Sequence, residues 1–328
     1  MSRLYLGIDT SNYRTSVAAF DCDNGTYQNY GRILDVPAGK LGLRQSEALF
    51  QHTLHLHEQI SQLPAGIGRE VLAVCVSTRP RAIEGSYMPC FLAGESVARS
   101  VARLLGVPLY TVSHQQGHLA AAAHGAGRDD LLGQEFLAWH LSGGTTELLY
   151  VAPDASGLPQ ANIIGGTTDI SAGQLIDRAG VLLGLEFPAG AALEQLAASG
   201  ERGKPFPVKV KDCFFSFSGM QNKVGQMHQN GDTSGEIANF VIETVAQAVQ
   251  RATEQALERH PCPVLCAGGV MSNASIRQQM ANRFGAYFAC PDLSGDNAVG
   301  VAMLAAQQNG ECRSEEHTSE LQSPVPIS

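Results

Sequence analysis

The chain has 328 residues, of which 44% are hydrophobic, and a formal net charge of −9 at pH 7. This length allows two domains of ordinary size or one large α/β unit, and the acidic balance excludes nucleic-acid binding that depends on overall charge alone. Because no apolar run approaches the roughly 18 residues needed to span a bilayer, we expect a cytoplasmic protein without a membrane partner.

Hydrophobic patterns in the first 125 residues predict the order β-β-β-α-β-α-β, followed by a helix. A second strand directly follows the first, whereas a Rossmann unit would pass into a helix through G-x-G-x-x-G. This start therefore disfavours a dinucleotide-binding fold. The predicted segments are 4–10, 15–20, 27–35, 44–63, 71–77, 91–105 and 108–112.

Gly, Arg and Asp dominate residues 125–133, which predicts a hinge between an amino-terminal lobe, 1–125, and a carboxyl-terminal lobe, 134–296. The second lobe again opens with a strand, a glycine turn and a strand, so we expect duplicated lobes with a cleft between them. The helix expected at 297–308 is a candidate to complete the first lobe. Other predicted segments are strands 135–141, 145–152, 264–267 and 286–289 and helices 172–183, 191–198, 237–259 and 273–283.

The last sixteen residues, 313–328, begin Arg-Ser-Glu-Glu-His-Thr-Ser-Glu-Leu. This text looks like the translation of a sequencing-library adapter. We therefore expect a non-native tail and leave it out of the fold prediction.

Two histidines, His114 and His118, stand four residues apart after a predicted strand. On a helix this spacing places both rings on one face, about 6 Å between Cβ atoms, close enough to bind one metal ion. The alternative is a pair of ordinary surface or core histidines. A catalytic metal usually takes a third protein ligand, so a distant residue would have to complete the set. Position 115 is Gln where a zinc peptidase of the H-E-x-x-H type needs Glu, which disfavours peptidase activity.

Three glycine turns follow predicted strands, at 7–11, 142–145 and 268–273, where backbone N–H groups can approach a phosphate. Each is also compatible with a plain tight turn. Asp9 is a candidate to hold a metal-bound water or a phosphate-bound ion, or to form an Asx turn. Asp177 is either a ligand or the ion-pair partner of Arg178, and Asp296 is either a ligand or a helix cap.

The ordered set of motifs resembles the universal tRNA threonylcarbamoyladenosine synthase family, once labelled O-sialoglycoprotein endopeptidase. The resemblance covers about residues 4–310. The motifs that carry it are Gly7-Ile8-Asp9-Thr10-Ser11, His114 with His118, Leu141-Ser142-Gly143-Gly144, residues 177–190, Phe215-Ser216-Phe217-Ser218-Gly219, Ala267-Gly268-Gly269-Val270 with Asn273, and Gly295-Asp296-Asn297.

This resemblance implies an α/β protein with the two-lobed actin-like ATPase fold of the sugar kinase, heat-shock protein and actin superfamily, in which duplicated mixed sheets flank a central cleft. It implies one divalent metal ion bound by His114, His118 and Asp296. The ligand types alone suit iron, zinc or manganese, and the family favours iron over zinc. We assign Asp9 as a catalytic residue. The residues implied to hold an adenylate-bearing substrate or ATP are His140, Leu141, Ser142, Gly143, Gly144, Asp177, Gly190 and Asn273.

The implied activity is transfer of the threonylcarbamoyl group from threonylcarbamoyl adenylate to the adenine next to the anticodon in tRNAs that read codons beginning with A. The implied partners are tRNA and accessory proteins of the same pathway. The chain departs from the family's pattern at Tyr13, Arg14, Gln116 and Thr145, which indicates a divergent paralogue. Two alternatives stay open: a nucleotide- and metal-binding paralogue with a regulatory or scaffold role, and a small-molecule kinase of the same superfamily.

Overall fold

The computed structural model describes residues 3–11, 13–36, 42–200 and 206–310. The chain divides into two compact units: the first runs to Gly117 and resumes at Asn297, and the second is His118–Asp296. The boundary therefore lies inside a helix, not in the predicted hinge at 125–133. Those residues instead form a short 3-10 helix, Asp129–Gly133, that buries Leu131 and Leu132. The expected adapter-derived tail, 313–328, lies outside the described residues.

The first unit is built on a mixed sheet with the strand order β3-β2-β1-β4-β5. The first three strands form an antiparallel meander, and β4 and β5 run parallel to β1. Helix α9 packs on one face of β1 and helix α2 on the other, so all residues of β1 after Leu4 are buried. The bounds are β1 Leu4–Ser11, β2 Arg14–Asp21, β3 Thr26–Ile33, α1 Gln45–Ile60, β4 Val71–Arg79, α2 Phe91–Leu105, β5 Leu109–Ser113 and α9 Val299–Gln308.

The second unit repeats this topology in the sheet β11-β10-β6-β7-β8-β9. Strands β6, β7 and β8 form the meander, and β10 and β11 extend β6 in parallel. The expected duplication of mixed sheets is thereby confirmed. The bounds are β6 Phe136–Leu141, β7 Thr146–Pro153, β8 Pro159–Thr167, α4 Ala172–Leu182, α5 Gly190–Ser199, β9 Phe214–Phe215, α6 Ser218–Asn230, α7 Ser234–Leu257, β10 Val264–Ala267, α8 Ala274–Phe284 and β11 Tyr287–Phe288.

Three of these elements were not predicted from the sequence, and one of them, β9, is only two residues long. Strand β8 contains a proline and two glycines, residue types that weaken the strand pattern. Helix α6 is mostly polar and buries only Met220 and Val224, so it lacks an apolar stripe. Among the described helices, none combines the length and the apolar character that crossing a bilayer requires.

Helix α3, His114–Gly125, starts directly after β5 and begins with a capping box. The Ser113 hydroxyl accepts a hydrogen bond from the Gln116 backbone N–H at 3.2 Å, and Gln116 Oε1 accepts one from the Ser113 N–H at 2.8 Å. The two glycines of the helix are packed closely against their neighbours. A Cβ at Gly117 would lie 2.8 Å from a Val301 methyl carbon, and one at Gly125 would lie 2.9 Å from the backbone nitrogen of Cys290.

Candidate metal and nucleotide site

The three side chains predicted to bind metal lie together. Single ligand atoms of His114, His118 and Asp296 all lie within 4.8 Å of one another, and His118 Nε2 is 3.1 Å from Asp296 Oδ1. The two histidines are placed by one turn of α3, since residues four apart share a helix face. The three side chains are 20–33% exposed, so a bound ion would keep access to a substrate. Two imidazoles and one carboxylate are a donor set that fits a divalent cation with open coordination positions.

The alternative role of Asp296 as a helix cap is taken by its neighbour. Helix α9 has Ala298 at its N-cap position, and the Asn297 side-chain oxygen accepts a hydrogen bond from the Val299 N–H at 3.0 Å. Asn297 is buried, whereas the Asp296 carboxylate faces His118. Asn297 thus supplies a side-chain hydrogen bond at the start of α9, and Asp296 stays a predicted ligand.

Asp9 is fully buried at the end of β1. Its Oδ1 atom accepts hydrogen bonds from His114 Nδ1, at 3.0 Å, and from the Ser77 hydroxyl. Because Nδ1 of His114 faces the carboxylate, Nε2 is the ring nitrogen that could bind a metal ion. We predict a catalytic role for Asp9. Its hydrogen bond also orients the imidazole of His114, a predicted metal ligand.

His52 is a buried histidine on α1 that lies close to this region. Its Nδ1 atom is 2.8 Å from the Thr15 hydroxyl, and the side chain is fully buried. Burial lowers the pKa of His52 to about 4, although the Ser11 backbone and the Asp9 charge act in the opposite direction. The ring is therefore neutral in the folded protein at neutral pH.

We expect this ring to make folding stability depend on pH. Unfolded His52 would take up a proton near the ordinary pKa of 6.5, whereas the folded ring stays neutral until about 4. The free energy of unfolding should therefore fall as the pH drops through this window, by at most about 3 kcal/mol. Urea unfolding across the window measures it, and His52→Gln should flatten the curve relative to wild type. An unchanged curve would contradict the assignment.

The turn between β6 and β7 carries the predicted phosphate-binding glycines. It is closed by the Ser142 N–H, which donates to the Thr145 carbonyl at 2.9 Å, and by the Thr145 N–H, which donates to the Ser142 hydroxyl at 3.1 Å. Gly143 and Gly144 are exposed, and a Cβ at either would meet nothing within 4 Å. A side chain at either position would therefore meet open space, while the Gly143 carbonyl accepts a hydrogen bond from the Ser171 hydroxyl at 2.7 Å.

The other predicted nucleotide-binding residues are linked through α5. Asp177 Oδ1 accepts a hydrogen bond from the Ala189 N–H at 2.8 Å, directly before Gly190. Glu194 Oε1 accepts one from the Ala274 N–H at 2.6 Å, and Asn273 caps α8 through the Ile276 N–H at 3.1 Å. The residues thus gather at the amino termini of α5 and α8, where anions are favoured.

Two further contacts bear on these predictions. His140 lies in β6, two residues before Ser142, with its ring centroid 6.1 Å from that of His118. The alternative prediction, an ion pair between Asp177 and Arg178, is wrong, because the Arg178 guanidinium donates instead to Gln221 Oε1 at 2.7 Å.

Sequence reasoning missed Asp169, which organises the Phe215–Gly219 motif. Burial acts to raise its pKa, but hydrogen bonds from the hydroxyl groups of Ser216 and Ser218 and from the Phe217 and Ser218 N–H groups outweigh it and hold the pKa well below the usual range. The carboxylate therefore stays ionised at the start of α6, where a helix terminus favours negative charge. The Thr167-Thr168-Asp169 sequence, rich in turn-forming side chains, was the only local signal.

Comparisons with known proteins agree with the motifs. A family model described as tRNA N6-adenosine threonylcarbamoyltransferase matches residues 51–303. The protein of that name from Streptococcus thermophilus is 31% identical over 325 residues, covering 93% of this chain and 91% of the relative. Its namesake from Streptococcus pneumoniae serotype 2 is 31% identical over 327 residues, covering 93% and 92%.

Solved structures show the fold. HypF from T. kodakarensis superimposes with a TM-score of 0.59 at 14% identity, covering 94% of this chain and 47% of that chain. A ROK family protein from Streptococcus pneumoniae, in complex with sucrose, gives 0.52 at 10% identity, covering 94% and 100%. These neighbours have folds of the actin-like ATPase and sugar kinase type, which confirms the predicted fold class.

Proposed function

Because the chain belongs to the tRNA N6-adenosine threonylcarbamoyltransferase family, an acyltransferase family, we propose that it uses threonylcarbamoyl adenylate as donor and modifies the adenine next to the anticodon in tRNAs that read codons beginning with A. The observation that carries this proposal is the convergence of His114, His118 and Asp296 on one point, with Asp9 bonded to His114. A set of this kind is suited to an anionic, phosphate-bearing donor.

In this proposal His114, His118 and Asp296 hold one divalent cation, iron or zinc. When bound, the cation supplies Lewis-acid stabilisation of negative charge on the adenylate phosphate. The backbone at Gly143 and Gly144 approaches the same phosphate.

The remaining predicted residues hold the donor's adenosine part. His140 to Ser142, at the end of β6, form one wall, and Asp177, Gly190 and Asn273 form the other. Preorganised donors around a phosphate lower the barrier because they need no rearrangement as charge develops.

The proposed step is an acyl transfer that balances without a further reactant. The exocyclic amine of the tRNA adenine attacks the threonylcarbamoyl carbonyl carbon, a C–N bond forms, and the C–O bond to the phosphate breaks. AMP leaves with the electron pair of that bond, and the amine loses a proton to solvent. Holding donor and acceptor together supplies much of the rate through proximity.

The proposal is tested with purified protein, threonylcarbamoyl adenylate, unmodified tRNA and the accessory proteins of the pathway. Mass spectrometry of the digested tRNA should detect threonylcarbamoyladenosine in tRNAs that read codons beginning with A, and none in a tRNA that reads other codons. No product with any tRNA would overturn the proposal. Nucleotide binding without transfer would then identify a regulatory paralogue, and ATP turnover on small hydroxyl compounds a kinase.

A further inference from the structure

Ser77 is a buried hydroxyl next to the metal ligands that the proposed function does not use. It lies near the end of β4, beside Asp9 on β1, since Ile8 pairs with Val76 in the parallel register between these strands. Both Ser77 and Asp9 are 0% exposed. The Ser77 hydroxyl donates a hydrogen bond to Asp9 Oδ1.

The same carboxylate oxygen accepts the hydrogen bond from His114 Nδ1. One atom therefore receives both the serine hydroxyl and the imidazole, which connects Ser77 to a metal ligand through a single carboxylate. The ring of buried Phe91 lies 6.3 Å from the His114 ring, centroid to centroid. This neighbour further restricts the rotation of the imidazole. Two partners on one oxygen restrict the orientation of the buried carboxylate.

We propose that Ser77 is a positioning residue for the metal centre: its hydroxyl fixes the Asp9 carboxylate in the orientation that holds His114 with Nδ1 at the carboxylate and Nε2 directed to the metal ion. This inference rests on the metal centre of the proposed function and adds a residue to it. Mutation of the hydrogen-bond partner of a metal-binding histidine typically lowers metal affinity by about 10- to 100-fold. Because Ser77 acts on that partner and not on the histidine itself, we expect about 10-fold.

The chain offers a matched control in Ser16. It lies on the other strand next to β1, directly opposite Asp9 in the antiparallel register, and it is also 0% exposed. In the described structure its hydroxyl makes no hydrogen bond. Ser16→Ala therefore removes the same chemical group, at the same depth and beside the same carboxylate, without removing a bond to it.

The experiment measures metal binding without any substrate. Metal-free wild type, Ser77→Ala and Ser16→Ala are titrated with Zn²⁺ against a chromophoric chelator, and with Co²⁺, whose visible absorption reports the geometry of its ligands. We expect Ser77→Ala to weaken Zn²⁺ binding about 10-fold and to alter the Co²⁺ spectrum, while Ser16→Ala matches wild type. Thermal unfolding of the metal-free proteins separates this effect from a general loss of stability.

A second pair keeps the test valid if the alanine variant folds poorly. Threonine at this position retains the hydroxyl and valine has nearly the same shape without it, so Ser77→Thr should bind Zn²⁺ like wild type and Ser77→Val should not. Equal affinities within either pair, in proteins that bind metal, would overturn the role of Ser77 and leave the metal centre intact. A wild type that binds neither ion would overturn the metal centre itself, and the role of Ser77 with it.

Discussion

His118→Ala is expected to lower the affinity for a divalent cation by at least about 100-fold and to remove threonylcarbamoyl transfer with it. His118 Nε2 lies 3.1 Å from Asp296 Oδ1, so the change deletes one of the three proposed ligands and removes the imidazole beside that carboxylate. Elemental analysis of the purified protein measures its metal content, calorimetry with Zn²⁺ measures the affinity, and the tRNA assay measures transfer.

His124→Ala is the control for this experiment. His124 lies on the same helix, and its Nδ1 atom also faces a carboxylate, that of Asp129, at 3.1 Å. It lies six residues beyond His118 and outside the cluster of ligands. We expect metal content and transfer to stay near those of wild type. Equal losses in both variants would mean that α3 itself had been disturbed, and retained metal in His118→Ala would refute its role as a ligand.

Gly268→Ala is expected to destabilise the second unit by about 3 kcal/mol or more, or to prevent folding. Gly268 has φ +98° and ψ 158°, a region that is essentially restricted to glycine. A Cβ there would also lie 2.1 Å from the Leu141 carbonyl oxygen at the end of β6. Backbone on both sides would have to move, so a change of rotamer cannot relieve the contact.

The neighbouring Gly269 provides the comparison. A Cβ at this position would meet nothing within 4 Å, so Gly269→Ala should change the free energy of unfolding by less than about 1 kcal/mol. Urea unfolding of the two variants followed by far-UV circular dichroism compares them directly. Similar urea midpoints for the two variants would show that the backbone at the ends of β6 and β10 can move enough to accept a Cβ at position 268, against this prediction.

These glycines show both the reach and the limit of sequence reasoning. Glycine after a strand predicts a phosphate turn at three places, and at Gly143 and Gly144 an added Cβ would meet nothing within 4 Å. At Gly7 the glycine serves packing instead, because a Cβ would lie 2.3 Å from the Ala298 carbonyl oxygen of the segment that leads into α9. A contact between residues so far apart in the chain leaves no local pattern, so composition cannot distinguish the two uses.

The order of strands and helices was largely predictable because it depends on local periodicity, and α2 matches its prediction at both ends. The capping box was also readable, since Ser113 and Gln116 have the required spacing, yet Gln116 was interpreted only as a departure from the family's pattern. The hydrogen bond between Asp9 and His114 could not be predicted from the sequence. It depends on how β1, β4 and β5 align in the sheet, which periodicity does not specify.

The tight packing of α3 limits how this protein can evolve. Ala120, Ala121 and Ala123 are fully buried, and side chains at Gly117 and Gly125 would collide with their neighbours, so mutations that enlarge these positions are disfavoured on steric grounds alone. A lineage can exchange residues on the loops around the site and still inherit the spacing of its two histidines unchanged. Sequence drift down to 31% identity is thus compatible with an inherited metal centre.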